Sequence, residues 1–212
     1  MSYSDTCYKN KNPLKEEKLL PENEAYIRQQ AATSGWFNFH VHYNEIAARV
    51  NPPWNYRKFI ELGTWKGLSI AHLVTKIYQI MNTKEIEIYT VDDFSQTPTS
   101  TNQHINFLYE IVLYNFERLK IKDRVELLKM TSHEASMLFE DEYFDFVFID
   151  ADHAYEHVRE DIDDWLPKIK RGGMLSGHDY APSQPGIRRA VDESFAGKIT
   201  FGTNGVWKVD IK

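Results

Sequence analysis

The sequence predicts an α/β fold, a doubly wound and mostly parallel seven-stranded sheet with helices on both faces and an antiparallel C-terminal hairpin. Three observations support this fold. Short apolar runs alternate with amphipathic stretches from residue 58 onward, which is typical of parallel strands joined by crossover helices. A glycine turn, Gly63 to Gly67, follows the first apolar run. Asn204-Gly205, a strong hairpin signal, lies between the last two strand candidates.

The composition limits the classes of protein to which the chain can belong. Its 212 residues are 42% hydrophobic, which is enough to bury a core, and no apolar run approaches the ~20 residues of a membrane span. The net charge of -6 disfavours binding to a phosphate backbone. A polar start argues against a secretory signal, and the single cysteine, Cys7, favours a reducing compartment. We therefore expect a cytoplasmic protein without a nucleic-acid or membrane partner.

The chain divides into two predicted parts at the Pro52-Pro53 pair. Residues 1–53 are expected to form a lysine-rich leader followed by a helical lid segment, and residues 54–212 form the α/β domain. Two interpretations are open for the aromatic residues of the first part. They either cover a ligand pocket or pack the N-terminal helices onto the sheet. These residues are Trp36, Phe37, Phe39 and Tyr43.

The predicted elements of the second part follow from the alternation of patterns. The strands are expected at 58–62, 85–91, 124–130, 144–150, 173–177, 199–202 and 206–209, and the helices at 68–81, 102–119, 132–139, 155–169 and 186–195.

The turn after the first strand has features of a ligand-binding loop. In a doubly wound sheet this turn lies at the carboxyl edge, where Gly63 allows the backbone to approach a ligand and Gly67 eases the turn into the helix. Its spacing matches neither a dinucleotide loop nor a P-loop. Glu61 would repel a phosphate and suits a ligand with an ammonium or sulfonium group. An ordinary strand-to-helix turn is the alternative.

The second strand ends in an acid that could bind a ribose. Asp92 follows the apolar run directly, 29 residues after Gly63, and could accept hydrogen bonds from both ribose hydroxyls, whereas Asp93 is more plausible as a loop residue. Thr131 and Ser132 end the third strand, where their hydroxyls could reach an adenine ring. Together these residues indicate a nucleoside ligand without a phosphate, and S-adenosylmethionine fits that description.

Two further strands end in acids and histidines. Asp150 ends the strand at 144–150, and His178 and Asp179 follow the next strand, so all three are expected at the edge that carries the glycine loop. Such a set could bind a divalent metal, with Mg²⁺, Mn²⁺ or Ca²⁺ preferred over Zn²⁺. Alternatively the acids cap helices, as Asp152 could near residue 155. His153 could serve as a general base, because histidine titrates near neutral pH.

These motifs together resemble a known family, the class I S-adenosylmethionine-dependent methyltransferases. Within it the chain is similar to the group that includes macrocin-type sugar O-methyltransferases and proteins labelled cephalosporin hydroxylase. The similarity runs from about Tyr56 to the C-terminus and is most specific at 59–67, 148–155, 165–167 and 172–180. It implies a Rossmann-like sheet with an antiparallel last strand.

The resemblance also implies roles for individual residues. The methyl donor would be held by the glycine loop and by residues at the ends of the next strands. This expected cofactor-binding set is Glu61, Gly63, Thr64, Gly67, Asp92, Thr131, Ser132 and Asp150.

A metal and a base complete the implied site. Asp150 and Asp179 would ligate a divalent metal, usually Mg²⁺, and His153 falls where macrocin-type members carry a histidine base. Better characterised members have Asp or Glu at position 178, where this chain has His178. An imidazole can still ligate, so the predicted metal set is Asp150, His178 and Asp179, with a preference for a softer ion open.

The predicted function is methyl transfer to a hydroxyl of a small molecule such as a sugar or natural product, with His153 and Asp150 as catalytic residues. One alternative is a metal-free enzyme with a nitrogen or carbon acceptor. Another is a methyltransferase-like binding protein that lacks transfer activity or assists another enzyme's oxidation. The sequence leaves a homo-oligomer possible.

Overall fold

A computed structural model describes residues 21–33, 37–81, 83–95 and 106–212. The predicted leader at 1–20, the predicted role of Trp36 and the first residues of the predicted helix at 102–119 lie outside the described residues.

The described strands form one sheet with the predicted topology. The first five are parallel to one another, and the seventh is antiparallel to both the fifth and the sixth. The sheet order is β3-β2-β1-β4-β5-β7-β6. This confirms the predicted fold class and brings the carboxyl ends of β1, β2, β4 and β5 to one edge. The strands are β1 Lys58–Leu62, β2 Glu87–Val91, β3 Glu126–Leu128, β4 Phe144–Ile149, β5 Ile169–Gly177, β6 Thr200–Phe201 and β7 Trp207–Asp210.

Helices connect the strands and cover both faces of the sheet. Five of them follow the predicted positions, and two more lie in the N-terminal part. The described helix of the 102–119 segment starts at Leu108, and the helix predicted at 132–139 ends at Ser136. The helices are α1 Pro21–Ala32, α2 His40–Ala48, α3 Leu68–Ile80, α4 Leu108–Arg118, α5 Ser132–Ser136, α6 Tyr155–Trp165 and α7 Pro185–Phe195.

The largest error in the predicted boundaries lies between α6 and β5. A helix was expected to continue to residue 169, but Pro167 lies in a 3-10 turn, Leu166–Lys168, and cannot continue an α-helix. β5 then begins at Ile169, four residues before the predicted start. The strand runs through Gly172-Gly173 with a shift of register opposite β4, so the glycine pair marks an irregularity within the strand.

Strand β4 lies at the centre of the molecule and separates two apolar layers. All six of its residues are buried. Because side chains alternate along a strand, Phe146 and Phe148 pack with the layer that contains α2, α3 and α4. Val147 and Ile149 pack with the layer that contains α5, α6 and α7.

The aromatic residues of the N-terminal part that the structure describes contribute to this core. Phe39 and Tyr43 are fully buried, with ring centroids 4.8 and 5.0 Å from that of Phe148. Of the two interpretations, these two rings follow the second, because they pack the start of α2 onto the sheet. The division of the chain at residue 53 stays a prediction. Within the described ranges, no helix combines the length and apolarity needed to cross a membrane.

Candidate functional site

The glycine loop lies where β1 meets the segment that follows β4. Gly63 has a φ of +89°, and a Cβ atom at this position would lie 2.0 Å from the carbonyl oxygen of Asp150. Gly67 has a φ of +74°, and a Cβ atom at this position would lie 2.6 Å from the Phe116 ring. Both glycines are therefore required by the fold itself, and the loop is held against the start of the acid–histidine segment.

Asp92 organises this loop from the end of β2. Its Oδ2 accepts hydrogen bonds from the backbone N–H groups of Thr64 and Trp65, at 2.9 and 3.0 Å, and its Oδ1 accepts from Phe94 N–H at 2.7 Å. Burial raises the pKa of this carboxyl, although the three donors oppose that shift. The neighbouring Asp93 is exposed and accepts from Ser95 N–H. The predicted distinction between the two acids agrees with this geometry, while ribose binding stays a prediction.

Glu61 departs from its predicted position at the ligand surface. It is only 1% exposed, and its two carboxyl oxygens accept hydrogen bonds from the hydroxyl groups of Tyr43 and of Ser69, the latter at 2.9 Å. Burial raises the pKa of Glu61 to about 8, despite these hydrogen bonds. This carboxyl lies between α2 and α3, where Tyr43 and Ser69 contact it, and its contact with a cationic group stays a prediction.

The hydroxyl groups predicted to bind the cofactor have partners within the chain. Thr131 and Glu134 form a capping box at the start of α5. Ser132 Oγ accepts from Trp165 Nε1 at 2.8 Å, and Thr64 Oγ1 lies 2.7 Å from Thr90 Oγ1 in a buried pair. In this arrangement the hydroxyls stabilise the start of α5 and the pairing of Thr64 with Thr90, and their contact with the cofactor stays a prediction.

Three of the predicted acid–histidine residues come together at the ends of β4 and β5. One ligand atom from each of Asp150, His153 and Asp179 lies within 4.8 Å of the other two. His153 Nε2 is 3.3 Å from Asp179 Oδ2. Two carboxylates and an imidazole at this spacing fit a small divalent cation.

His178 has a different position from the predicted ligand. Its Nδ1 lies 3.6 Å from Asp150 Oδ1 and 3.2 Å from Asp179 Oδ1, and its Nε2 is buried without a partner among the described residues. Burial lowers the pKa of His178, but the two carboxylates overcome this and raise it to about 10. The cluster of ligand atoms within 4.8 Å of one another contains His153 and not His178, so the role of His178 as a metal ligand stays a prediction.

The pKa values of the Asp150 and Asp179 carboxyl groups are shifted in opposite directions beside His178. Burial raises the pKa of Asp150, with His178 only partly offsetting it. At Asp179, burial opposes ionisation, but the hydrogen bond and charge of His178 hold the pKa below its usual range.

Asp152, predicted as the N-cap of α6, instead accepts from Ala154 N–H at 2.6 Å, and Ala154 itself is the N-cap residue.

A small, partly open cleft lies beside the acid–histidine cluster, with a cavity volume of about 10 Å³. The cleft is lined by Asp150, His153 and His178 and by the apolar side chains of Ile187 in α7 and Trp207 in β7.

Sequence reasoning missed one residue that supports the site, Asn115, whose Nδ2 donates to the carbonyl of Lys66 at 2.9 Å. Asn115 is fully buried on the apolar face of α4, and a polar residue on such a face is the signal that could have found it.

Comparison with known sequences identifies one family and one curated relative. Residues 60–180 match the family described as "Methyltransferase domain". The uncharacterized protein y4gI of Sinorhizobium fredii (strain NBRC 101917 / NGR234) is 24% identical over 131 residues, which is 62% of this chain. The match spans only 14% of the length of that relative.

Comparison with solved structures shows the same fold in several methyltransferases. The O-methyltransferase NovP has a TM-score of 0.65 at 20% identity, with 82% of this chain and 80% of that chain covered. The calicheamicin methyltransferase CalS11 has a TM-score of 0.65 at 12% identity, covering 90% and 93%. An O-methyltransferase from Bacillus cereus in complex with SAH has a TM-score of 0.57 at 19% identity, covering 93% and 94%. At these identities the likeness shows the fold alone.

Proposed function

The chain belongs to the class I S-adenosylmethionine-dependent methyltransferase family, and on this basis we propose that it methylates a hydroxyl oxygen of a small molecule. The observation that carries the proposal is the position of the acid–histidine cluster directly beside the glycine loop, where Gly63 approaches the backbone of Asp150. The names of NovP and CalS11 support an oxygen acceptor and a natural product, respectively. We further propose a cytoplasmic enzyme without a nucleic-acid or membrane partner, and leave open a homo-oligomer.

The proposed reaction is an in-line displacement at the methyl carbon of the donor. The acceptor oxygen forms a bond to this carbon while the bond to sulfur breaks, so the sulfonium becomes a neutral thioether. The hydroxyl proton passes to the imidazole of His153. Asp179, 3.3 Å from His153 Nε2, orients the ring and stabilises the imidazolium that forms. The buried rings of Phe39 and Tyr43 would exclude water from the inner wall of the site.

A divalent metal is a further part of the proposal. Asp150 and Asp179 would hold it, with His153 as the third ligand within reach. A bound metal would supply positive charge that lowers the pKa of the acceptor hydroxyl. His153 cannot ligate a metal and accept a proton at the same nitrogen, so metal dependence and the base role of His153 need separate tests.

The first test is calorimetric titration of the protein with S-adenosylhomocysteine. We expect micromolar binding that is lost in Asp92→Asn, because Asp92 holds two N–H groups of the loop. Asp93→Asn is the matched control, since this exposed neighbour accepts a hydrogen bond from the N–H group of Ser95 and not from the glycine loop, and the affinity of this variant should match that of the unaltered protein. No binding by the unaltered protein would contradict the proposed function.

The second test separates transfer from binding and addresses the metal. Turnover with candidate hydroxyl acceptors would be measured with added Mg²⁺, with added Mn²⁺ and after treatment with a chelator. We expect transfer that the chelator abolishes and a metal restores. Transfer that resists the chelator would favour the metal-free enzyme. Binding without transfer to any acceptor would favour the binding protein that lacks activity.

A further inference from the structure

Lys66, within the glycine loop, has an unusual environment for a lysine. It is 5% exposed, and its ammonium group donates to Thr33 Oγ1 at 2.6 Å and to the carbonyl and side-chain oxygens of Gln30 at 3.2 and 3.5 Å. All three acceptors are neutral oxygens at the C-terminal end of α1. The negative end of a helix dipole and its unsatisfied carbonyls stabilise a cation at this position.

The residue before Lys66 also contacts α1. Trp65 has a φ of +48° and packs against a small cluster formed by Ile27, Ala31 and Ile111. Among residues 22–32 of α1, Ile27 and Ala31 are the buried ones, and they pack against Ile111 of α4 as well as against Trp65. Two consecutive residues of the loop, Trp65 and Lys66, therefore form part of the surface on which α1 docks.

The same loop residues are also fixed by Asp92 at the end of β2 and by Asn115 on α4. Asp92 accepts the N–H groups of Thr64 and Trp65, and Asn115 donates to the carbonyl of Lys66. The backbone from Thr64 to Lys66 is thus held by Asp92 and Asn115, while the Lys66 side chain contacts α1. A ligand that stabilises this loop geometry also stabilises the docked position of α1, and the reverse must hold by linkage.

We propose that Lys66 is a positioning residue that couples docking of α1 to binding of the methyl donor. This inference rests on the proposed function, because the ligand of the loop is taken to be S-adenosylmethionine. Lys66 contacts the helix and not the donor, and it acts by fixing the loop that Asp92 also holds. Donor binding then slows local opening of α1, and loss of the Lys66 ammonium weakens donor binding.

Hydrogen exchange of residues 21–33, with and without S-adenosylhomocysteine, tests the coupling directly. In the unaltered protein the ligand should slow exchange of α1 by about tenfold, a common size for coupling between two sites. Lys66→Met keeps the apolar stem and removes the charge, so it should abolish this protection and weaken ligand affinity by about tenfold. Lys84→Met, at an exposed turn residue, is the matched control and should change neither.

A second variant keeps the test valid if Lys66→Met does not fold. Thr33→Val removes the 2.6 Å acceptor from an exposed position of the chain and should reduce both protection and affinity. If the unaltered protein binds the ligand but exchange of α1 does not change, the coupling is overturned and the proposed function stands. If the unaltered protein does not bind the ligand, both the proposed function and the coupling are overturned.

Discussion

Two halves of the carboxyl edge differ in how their polar groups are satisfied. In the glycine-loop half, formed by Glu61, Thr64 and Asp92, each polar side chain has a hydrogen-bond partner in the same chain. In the acid–histidine half, formed by Asp150, His153, His178 and Asp179, the ionisable groups mainly face one another.

This difference indicates different tasks. Satisfied polar groups hold a backbone in a fixed shape, which suits a surface that binds a ligand through its backbone. Ionisable groups that face one another can pass a proton between themselves or to a ligand, which suits chemistry. We therefore expect substitutions in the first half to change stability and affinity, and substitutions in the second half to change turnover.

The contact between the two halves should be the most sensitive point. Gly63→Ala places a Cβ atom 2.0 Å from a backbone oxygen of the other half, at a φ of +89°. We expect a loss of roughly 4 kcal/mol in the free energy of unfolding, measured in urea, together with loss of S-adenosylhomocysteine binding. Gly197→Ala is the control, because its φ is also positive at +74° but nothing lies within 4 Å, and it should cost about 1 kcal/mol. Equal losses of unfolding free energy in the two variants would contradict this, because they would show that the backbone at Asp150 moves to accommodate the added methyl group.

His153→Ala tests the assignment of chemistry to the acid–histidine half. Loss of a general base should lower turnover by roughly 10³-fold and leave affinity for S-adenosylhomocysteine unchanged. Turnover is measured by fixed-time assays of methyl transfer, and affinity is measured by calorimetry. His157→Ala, which removes an exposed imidazole from α6, should retain turnover. An unchanged turnover in His153→Ala would remove this residue from the mechanism.

The pH dependence of stability tests the buried acid of the glycine-loop half. The pKa of Glu61 in the folded protein is about 8, above its ordinary value of 4.5. The folded state thus holds the proton more tightly, so this contribution is complete below about pH 4.5 and is lost as pH rises through 8. Between pH 5 and 7 it should decrease by roughly 2.5 kcal/mol, and Glu61→Gln should remove that decrease. Parallel pH curves for the two proteins would contradict the assignment.

Thr131→Ala should have the smallest effect. The hydroxyl of Thr131 forms a capping box with Glu134, so its removal should lower the free energy of unfolding by about 1 kcal/mol. Affinity for S-adenosylhomocysteine should not change, because the hydroxyl serves the helix. A drop in affinity measured by calorimetry would instead support the predicted contact with adenine.

The sequence by itself determined the fold class and the edge at which the site lies. Alternating apolar and amphipathic segments specify crossover connections, and the Asn204-Gly205 turn specifies the final antiparallel pair. The polar residues that end β4 and β5 were found in the same way, because parallel strands place their carboxyl ends together. These are local patterns, and local patterns can be read along a chain.

The tertiary structure alone decided which polar groups pair within the chain. Tyr43 lies 18 residues before Glu61, and their contact buries an acid that the sequence predicted at the ligand surface. Likewise, the ring of Phe39 lies 4.7 Å from that of His178, whose Nδ1 faces two carboxylates, whereas His153 groups with Asp150 and Asp179. Such outcomes depend on burial and on partners distant in sequence, which set both the direction of a side chain and its charge.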